Sequence, residues 1–203
     1  MGTKRVGLAR TKALIQGLKR QLNLSGSTMK GLRLIGNDSE NDAGAGMTTT
    51  TANPRVQTVG NTTTTTILVD LGASTPASGA ISGWLLGESG STGAAYLTKF
   101  TNEESGIVTN FEITCTETPV GGATDIDVYL TTTSLTGGQA PAGGATLINS
   151  GAWAVGETLA LYSGDDLRTV DYDDSYVYLV SAASSSVYTA GKFVITVTGK
   201  KTF

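Results

Sequence analysis

Histidine is absent from the sequence, which excludes histidine metal ligands, a histidine general base and a histidine pH switch. Cysteine occurs once, at Cys115, so no disulfide can form within the chain. A serine- or cysteine-type nucleophile would therefore need a lysine or a carboxylate as its base. Neither Lys99 nor Lys192, the lysines within the strand-rich part of the chain, sits in a recognisable motif. We expect no enzymatic activity.

Charged residues are also scarce, at 15% of the 203 residues against ~25% in a typical soluble domain. Glycine, threonine, serine and alanine take their place, a composition typical of strands, tight turns and uncharged surface. No apolar run approaches the ~20 residues of a membrane-spanning helix. Lys12, Lys19 and Arg20 interrupt the apolar stretch that a signal sequence would need. We therefore expect no membrane partner, and a chain that is soluble or part of a particle.

Acidic residues are missing from the start of the chain, where the first carboxylate is Asp38. Residues 1–33 carry eight basic side chains and no acid, a net charge of +8. The remaining residues carry six basic and seventeen acidic side chains, a net charge of 6 − 17 = −11. The total charge of −3 thus hides a basic segment joined to an acidic one, which is the pattern of an interaction tail.

Residues 4–23 contain the best helix pattern in the sequence. Leu8, Ile15 and Leu22 recur every seven residues, with Leu18 between them, so one apolar stripe forms at helical spacing. Alone this helix is marginal, but docking on a partner would bury its stripe. We predict a basic amphipathic helical arm within residues 1–36 that docks on a partner. Its candidate docking residues are Arg5, Leu8, Arg10, Lys12, Ile15, Leu18, Lys19, Arg20 and Leu22.

Three interpretations of this arm are open. It packs on its own domain, it docks on an acidic protein surface or self-associates through the stripe, or it binds nucleic acid. Basic charge alone gives only unspecific phosphate affinity, and no aromatic residue precedes Trp84 to stack on bases. We favour protein docking or self-association, and we expect a homo-oligomer without sequence-specific nucleic-acid binding.

Beyond the arm the sequence predicts a linker and a body. Leu32–Ile35 could form a short strand at the end of the arm. Residues 37–54 are polar, glycine-rich and without periodicity, which predicts a flexible linker. Residues 55–203 form the predicted body, which we expect to fold without the arm.

The body alternates between short apolar–polar stretches and clusters of Gly, Pro, Asn and Ser. The alternation is cleanest where Ile126, Val128 and Leu130 share one face, and the threonine-rich start of 62–70 suits an edge strand. Without a helical pattern between them, these strands predict an all-β protein: an antiparallel β-sandwich, jelly-roll-like, preceded by the helical arm. The predicted strands lie near 55–59, 62–70, 79–87, 94–100, 106–117, 124–132, 145–149, 157–162, 175–182 and 192–199.

Few side chains suggest chemistry. Cys115 lies on the apolar face of its strand, where a lone cysteine behaves as a small hydrophobe. Asp125 and Asp127 share a strand face and could form a carboxylate pair, but they have the pattern of solvated surface charge. The carboxylates of residues 165–174 are dense enough to hold calcium, yet their spacing matches neither the EF-hand loop nor the RTX nonapeptide repeat. We predict no cofactor and no metal.

Aromatic residues could make a sugar-binding platform if they were exposed. Tyr176 and Tyr178 alternate with aliphatic residues, however, as the side chains of a half-buried strand do. We therefore favour core or sheet-surface packing for these tyrosines.

The chain opens with MGTKRVGLARTKALIQGLKRQLNL, and near its end it contains YVYLVSAA and YTAGKFVITVTG. The opening resembles the start of small virion structural proteins of marine tailed phages, and the ending is similar to their last hairpin. The resemblance implies a virion protein, a capsid decoration or cement protein that stabilises the shell and whose partners are major capsid protein subunits. The alternative is a jelly-roll head-fibre or adhesin module that binds a host-surface glycan through loops such as 133–144 and 163–174.

Overall fold

The computed structural model describes residues 32–35, 43–44, 47, 52–72, 81–82, 84–88, 93–137, 139–162, 172–182 and 187–201. These residues form strands, turns and loops, and no helix is found among them. The strands are β1 (Leu32–Ile35), β2 (Ala52–Val59), β3 (Thr62–Asp70), β4 (Ile81–Ser82), β5 (Gly87–Glu88), β6 (Thr98–Phe100), β7 (Ile107–Val120), β8 (Ile126–Thr131), β9 (Gly144–Ile148), β10 (Thr158–Tyr162), β11 (Ser175–Ser181) and β12 (Ala190–Lys200).

The described strands pair antiparallel and form two main sheets. One sheet has six strands in the order β1-β2-β3-β12-β7-β10, the other has four in the order β6-β11-β8-β9, and β4 and β5 form a separate small sheet. The pairing is nested, because β3 pairs with β12, β6 with β11, β7 with β10 and β8 with β9. The predicted all-β class with antiparallel sheets is confirmed, and so is the strand predicted at Leu32–Ile35.

Side chains from both main sheets meet in one apolar cluster. Ile67, Phe111 and Ile195 come from the six-stranded sheet, Val128 and Leu179 come from the four-stranded sheet, and all five are fully buried. Burial of each large apolar side chain is worth ~1.5–3 kcal/mol, so this shared cluster holds the two sheets against each other. The period-2 alternation of the strands supplies these residues, since every second side chain points to the same face.

Threonine occupies part of the interior. Thr63 and Thr65 of β3 are almost fully buried, and the Thr63 hydroxyl oxygen lies 3.2 Å from that of Thr58 on β2. β3 lies between β2 and β12, so the predicted edge position of segment 62–70 is wrong. The buried hydroxyls of Thr58 and Thr63 are tolerated because they hydrogen-bond to each other across neighbouring strands.

The segment 79–87, predicted as one strand, is divided in the structure. β4 and β5 are two residues each and pair with each other. Leu85 and Leu86 lie between them and are buried, and the Leu86 N–H donates to the Leu179 carbonyl of β11 at 2.9 Å. The segment therefore pairs briefly with β11, through a bridge between Leu85 and Val180, and does not form one continuous strand.

The predicted linker, residues 37–54, contributes side chains to the core. Met47 is 4% exposed and Ala52 is 1% exposed, and Ala43 packs against the same cluster. β2 itself begins at Ala52, upstream of the predicted boundary at Arg55. The packed part of the body thus includes residues before Arg55.

A chain that begins at residue 37 should be more stable than one that begins at Arg55. The shorter chain loses Met47 and Ala52 from the core, and burial of a methionine side chain is worth ~1.5–3 kcal/mol. We expect both chains to give a β-type circular dichroism spectrum, and urea unfolding to show a difference of at least that size. Equal free energies of unfolding would contradict the packed role of Ala43, Met47 and Ala52.

Candidate functional site

The predicted helix and the docking residues of the arm stay predictions, because they lie outside the described residues. These docking residues are Arg5, Leu8, Arg10, Lys12, Ile15, Leu18, Lys19, Arg20 and Leu22. The strand that follows them, β1, is described, and it pairs with β2 with Leu32 opposite Val59. The arm therefore joins the body at an edge of the six-stranded sheet.

One row of main-chain partners crosses this sheet at the end where β1 begins. From edge to interior the row consists of Leu32, Val59, Thr62, Lys200 and Ile107. With neighbouring strands ~4.8 Å apart, the row spans about 19 Å. The turn that precedes β7, residues 102–105, lies next to the far end of the row.

Acidic side chains gather at this end of the body. Glu103 and Glu104 lie in the turn before β7, and Asp173 and Asp174 lie in the turn before β11. The Asp173 carboxylate accepts the Asn102 N–H at 2.8 Å, which ties the two turns together. The junction with the basic arm and this acidic pair of turns therefore share one end of the molecule.

A second apolar cluster covers the outer face of the four-stranded sheet. It consists of Leu85, Ala95, Tyr129, Leu135 and Tyr178. The Tyr96 ring packs beside it, 4.8 Å from the Tyr176 ring and 6.4 Å, edge to face, from the Tyr178 ring. Lys99 lies 5.4 Å from the centre of the Tyr176 ring and forms a salt bridge with Asp174. The predicted packing role of Tyr176 and Tyr178 is confirmed.

The Tyr178 hydroxyl holds the loop 133–144 against this face. It accepts the Leu135 N–H at 2.8 Å and donates to the Thr133 carbonyl at 3.3 Å. The Tyr129 hydroxyl accepts the N–H at the end of the same loop at 2.8 Å. Burial raises the pKa of Tyr178 to about 12, because the phenolate would lose its hydration. This loop, a candidate for glycan binding, is thus fastened by tyrosines and does not present them to solvent.

Tyr172 is a contrasting buried tyrosine. It is 7% exposed and belongs to the main core, and its hydroxyl has no hydrogen-bond partner among the described residues. Burial raises its pKa to about 12 as well. A buried hydroxyl without a partner costs ~1–3 kcal/mol, so this group opposes the fold that Tyr178 supports.

The residues considered for chemistry have structural roles. Cys115 is fully buried in the main core, where burial raises the pKa of its thiol, and its predicted role as a core residue is confirmed. The Asp127 carboxylate accepts the Ser150 N–H at 2.9 Å, and burial is the main cause that raises its pKa. Asp127 thus fixes the loop that follows β9.

No group of three or more His, Cys, Asp and Glu side chains among the described residues could hold a metal ion. Asp165, Asp166 and Asp171 of the candidate calcium loop lie outside these residues. None of the described residues forms a helix long and apolar enough to cross a membrane.

Substitution of the two buried tyrosines should have opposite effects. Tyr178→Phe leaves the Leu135 N–H without its acceptor, and we expect a loss of ~1–3 kcal/mol in the free energy of unfolding. Tyr172→Phe removes a hydroxyl that has no partner among the described residues, so this change should be neutral or stabilising. Urea unfolding measures both, with the exposed Tyr162→Phe as control; equal losses at 172 and 178 would contradict the described hydrogen bonds.

Alkaline pH should destabilise the protein through the same two residues. Their folded pKa of about 12 lies above the ordinary value of 10.0, so the fold favours the neutral phenol. The stability gained this way is fully present below pH 10 and is lost as the pH rises towards 12. Unfolding measured across this range should show a smaller loss in either Phe variant than in the wild type. An identical pH dependence in all three would show that other groups control alkaline unfolding.

Comparisons of the chain with protein-family models, with curated proteins and with solved structures find no match. The candidate site therefore rests on geometry and charge: a basic arm joins a sheet edge of an all-β body, at an end where Glu103, Glu104, Asp173 and Asp174 lie beside Lys99, Lys200 and Lys201.

Proposed function

We propose that the protein is a structural component of a phage virion, a capsid decoration or cement protein. In this proposal the basic arm, residues 1–36, docks on major capsid protein subunits, and the attached body stabilises the shell. The observation that carries it is the separation of charge, +8 in residues 1–33 against −11 in the remainder. The resemblance of the opening and closing stretches to phage virion proteins agrees with it.

The finer architecture of the body is part of the proposal: a jelly roll, the fold of many viral capsid and lectin domains. The nested pairing of the eight strands β3 and β6–β12 supports it. The first of these strands, β3, pairs with the last, β12; β6 pairs with β11, β7 with β10, and β8 with β9. The facing sheets β3-β12-β7-β10 and β6-β11-β8-β9 have the order expected when one long antiparallel ribbon wraps into two sheets. β1 and β2 extend the first of these sheets.

The position of the arm supports a docking role that is partly electrostatic. β1 ties the arm to the body by main-chain pairing at the sheet edge, so an arm held by a shell brings the body with it. Glu103 and Glu104 at the same end offer the unbound arm a resting place on its own chain, although Lys200 and Lys201 lie beside them. Exposed charges are screened within ~8–10 Å at physiological ionic strength, so both contacts weaken with salt.

The glycan-binding alternative has less support. A sugar platform needs aromatic rings side by side on the surface, but the most exposed aromatics among the described residues are Trp84 and Tyr162. Trp84 lies beside β11 of the four-stranded sheet, whereas Tyr162 ends β10 of the six-stranded sheet. The tyrosines nearest loop 133–144 hold that loop in place.

The apolar stripe of the arm should anchor the protein to its particle. Ile15→Asp places a charge in the stripe, where burial of each large aliphatic residue is worth ~1.5–3 kcal/mol. We expect this variant to be lost from shells in a co-sedimentation assay, while the melting temperature of the body stays nearly unchanged. Gln16→Asp, which makes the same charge change off the stripe, is the matched control.

Raised salt separates the electrostatic part of this contact from the apolar part. Partial release of the wild type at high salt, matched at low salt by a variant with Arg10, Lys12, Lys19 and Arg20 replaced by Gln, would assign a share of the affinity to these four charges. Full retention of Ile15→Asp on shells, or unfolding of the body by it, would contradict the docking function and make the arm an internal packing element.

A further inference from the structure

β10 is one edge of the six-stranded sheet, and no described strand pairs with it on the side away from β7. An open edge is a template for pairing with another chain, so proteins protect edges with charge, proline, bulges or very short strands. The other edges of the two main sheets have such features. β1 contains Arg33, β6 has three residues including Lys99, and β9 pairs with β8 through a register shift.

Among the described residues, the five of β10, Thr158–Tyr162, have less protection: the one irregularity is just before the strand, where Gly156 and Glu157 both pair with Cys115. The strand contains no charged residue and no proline, and it pairs with β7 without a register shift. Tyr162 is 58% exposed. Leu159 and Leu161 pack against the main core yet remain partly exposed, as expected for apolar side chains that lack a neighbouring strand.

The hydrogen-bond phase shows which main-chain groups are free for a partner strand. The Cys115 N–H of β7 donates to the Glu157 carbonyl at 2.9 Å, just before β10 begins. Along an antiparallel strand, every second residue bonds to the same neighbouring strand. Since the Glu157 carbonyl bonds to β7, residues 159 and 161 also direct their N–H and C=O groups to β7. Thr158, Ala160 and Tyr162 therefore direct theirs away from β7.

The sequence of the strand, Thr-Leu-Ala-Leu-Tyr, is nearly symmetric about Ala160. An antiparallel copy centred on Ala160 would place alanine opposite alanine, Leu159 opposite Leu161, and Thr158 opposite Tyr162. The three outward-directed residues of each strand then meet in three hydrogen-bonded pairs, two bonds each, which makes six across the axis. The four leucines come together on the core side of the sheet.

We propose that two copies of the chain associate through β10, antiparallel, about a two-fold axis at Ala160. The two six-stranded sheets become one sheet of 6 + 6 = 12 strands. The proposal stands on the edge geometry alone and does not depend on the docking function of the arm.

Charge does not oppose this pairing. The nearest acidic side chain along the strand row is Glu112 of β7, which is the main-chain partner of Ala160. The two copies of Glu112 would lie three strand spacings apart, about 14 Å, which exceeds the screening length of ~8–10 Å.

Cysteine substitution tests the register in the full chain. Ala160→Cys puts two thiols opposite each other at the axis, where a Cα separation of ~5.5 Å is within disulfide reach. Thr158→Cys is the control, on the same strand and the same face, but ~14 Å from its copy. The native Cys115 is buried and common to both variants. Under mild oxidation we expect a covalent dimer on a non-reducing gel for Ala160→Cys and not for Thr158→Cys.

Ala160→Pro tests the hydrogen bonds across the axis. The Ala160 N–H points away from β7, so proline spares the internal ladder but removes two of the six intermolecular bonds. Light scattering after size-exclusion chromatography should show a dimer for the wild type and a monomer for this variant, both with a β-type circular dichroism spectrum.

Three results would overturn the proposal. They are a wild type that is monomeric or trimeric at every concentration tested, equal cross-linking of the two cysteine variants, and a folded Ala160→Pro variant that is still dimeric. If proline unfolds the chain, the cross-linking of the two cysteine variants still tests the proposed pairing. A monomer whose β10 edge binds a strand of a different protein would also contradict it.

Discussion

The main-chain pairing of β12 on both of its sides is the interaction on which the rest of the structure depends. β12 pairs with β3 over nine residues and with β7 over ten, and its side chains Phe193, Ile195 and Val197 are buried in the main core. β2 and β1 follow β3 on one side, and β10 follows β7 on the other. Without β12, the six-stranded sheet would separate into two ribbons. Its partners on β3 are more than a hundred residues away along the chain, so the sheet closes only through long-range contacts, which is a slow route of folding.

The sequence predicted the strands well and their neighbours poorly. Alternation of apolar and polar residues is a local signal, and it located the strands around Val128, Val177 and Ile195 because one face of each is buried. Position within a sheet is not local: threonine suits both an edge and an interior strand, and only the pairing of Thr63 with β2 on one side and β12 on the other shows that its strand is inside the sheet. The packing of Met47 was equally hidden, since its polar surroundings in the sequence give no periodicity. The tyrosines of β11 were predicted to pack, but the loop that Tyr178 fastens could not be identified without the fold.

The two main sheets use their outer faces differently, and this bears on where the protein interacts. The four-stranded sheet is covered by its own loops and tyrosines, so its polar hydroxyls are occupied internally. On the six-stranded sheet, Thr66 and Thr196 are main-chain partners on the outer side, both only half-buried. The same outer side carries an ion-pair cluster in which Lys192 bonds to Asp70 and Glu117. Both contacts proposed above, the docking of the arm and the pairing of β10, lie at edges of the six-stranded sheet.

The short pairing of β1 with β2 also decides how the body would respond to a pull. The arm enters β1 at Leu32, and only four residue pairs, Leu32 to Ile35, join that strand to the sheet. Tension along the strand axis loads these hydrogen bonds together, in shear. Tension across the sheet opens them one after another from Leu32, like a zipper. A tethered body would thus resist being drawn outward along its strands and yield when levered sideways, so its orientation on a surface would set the force at which it detaches.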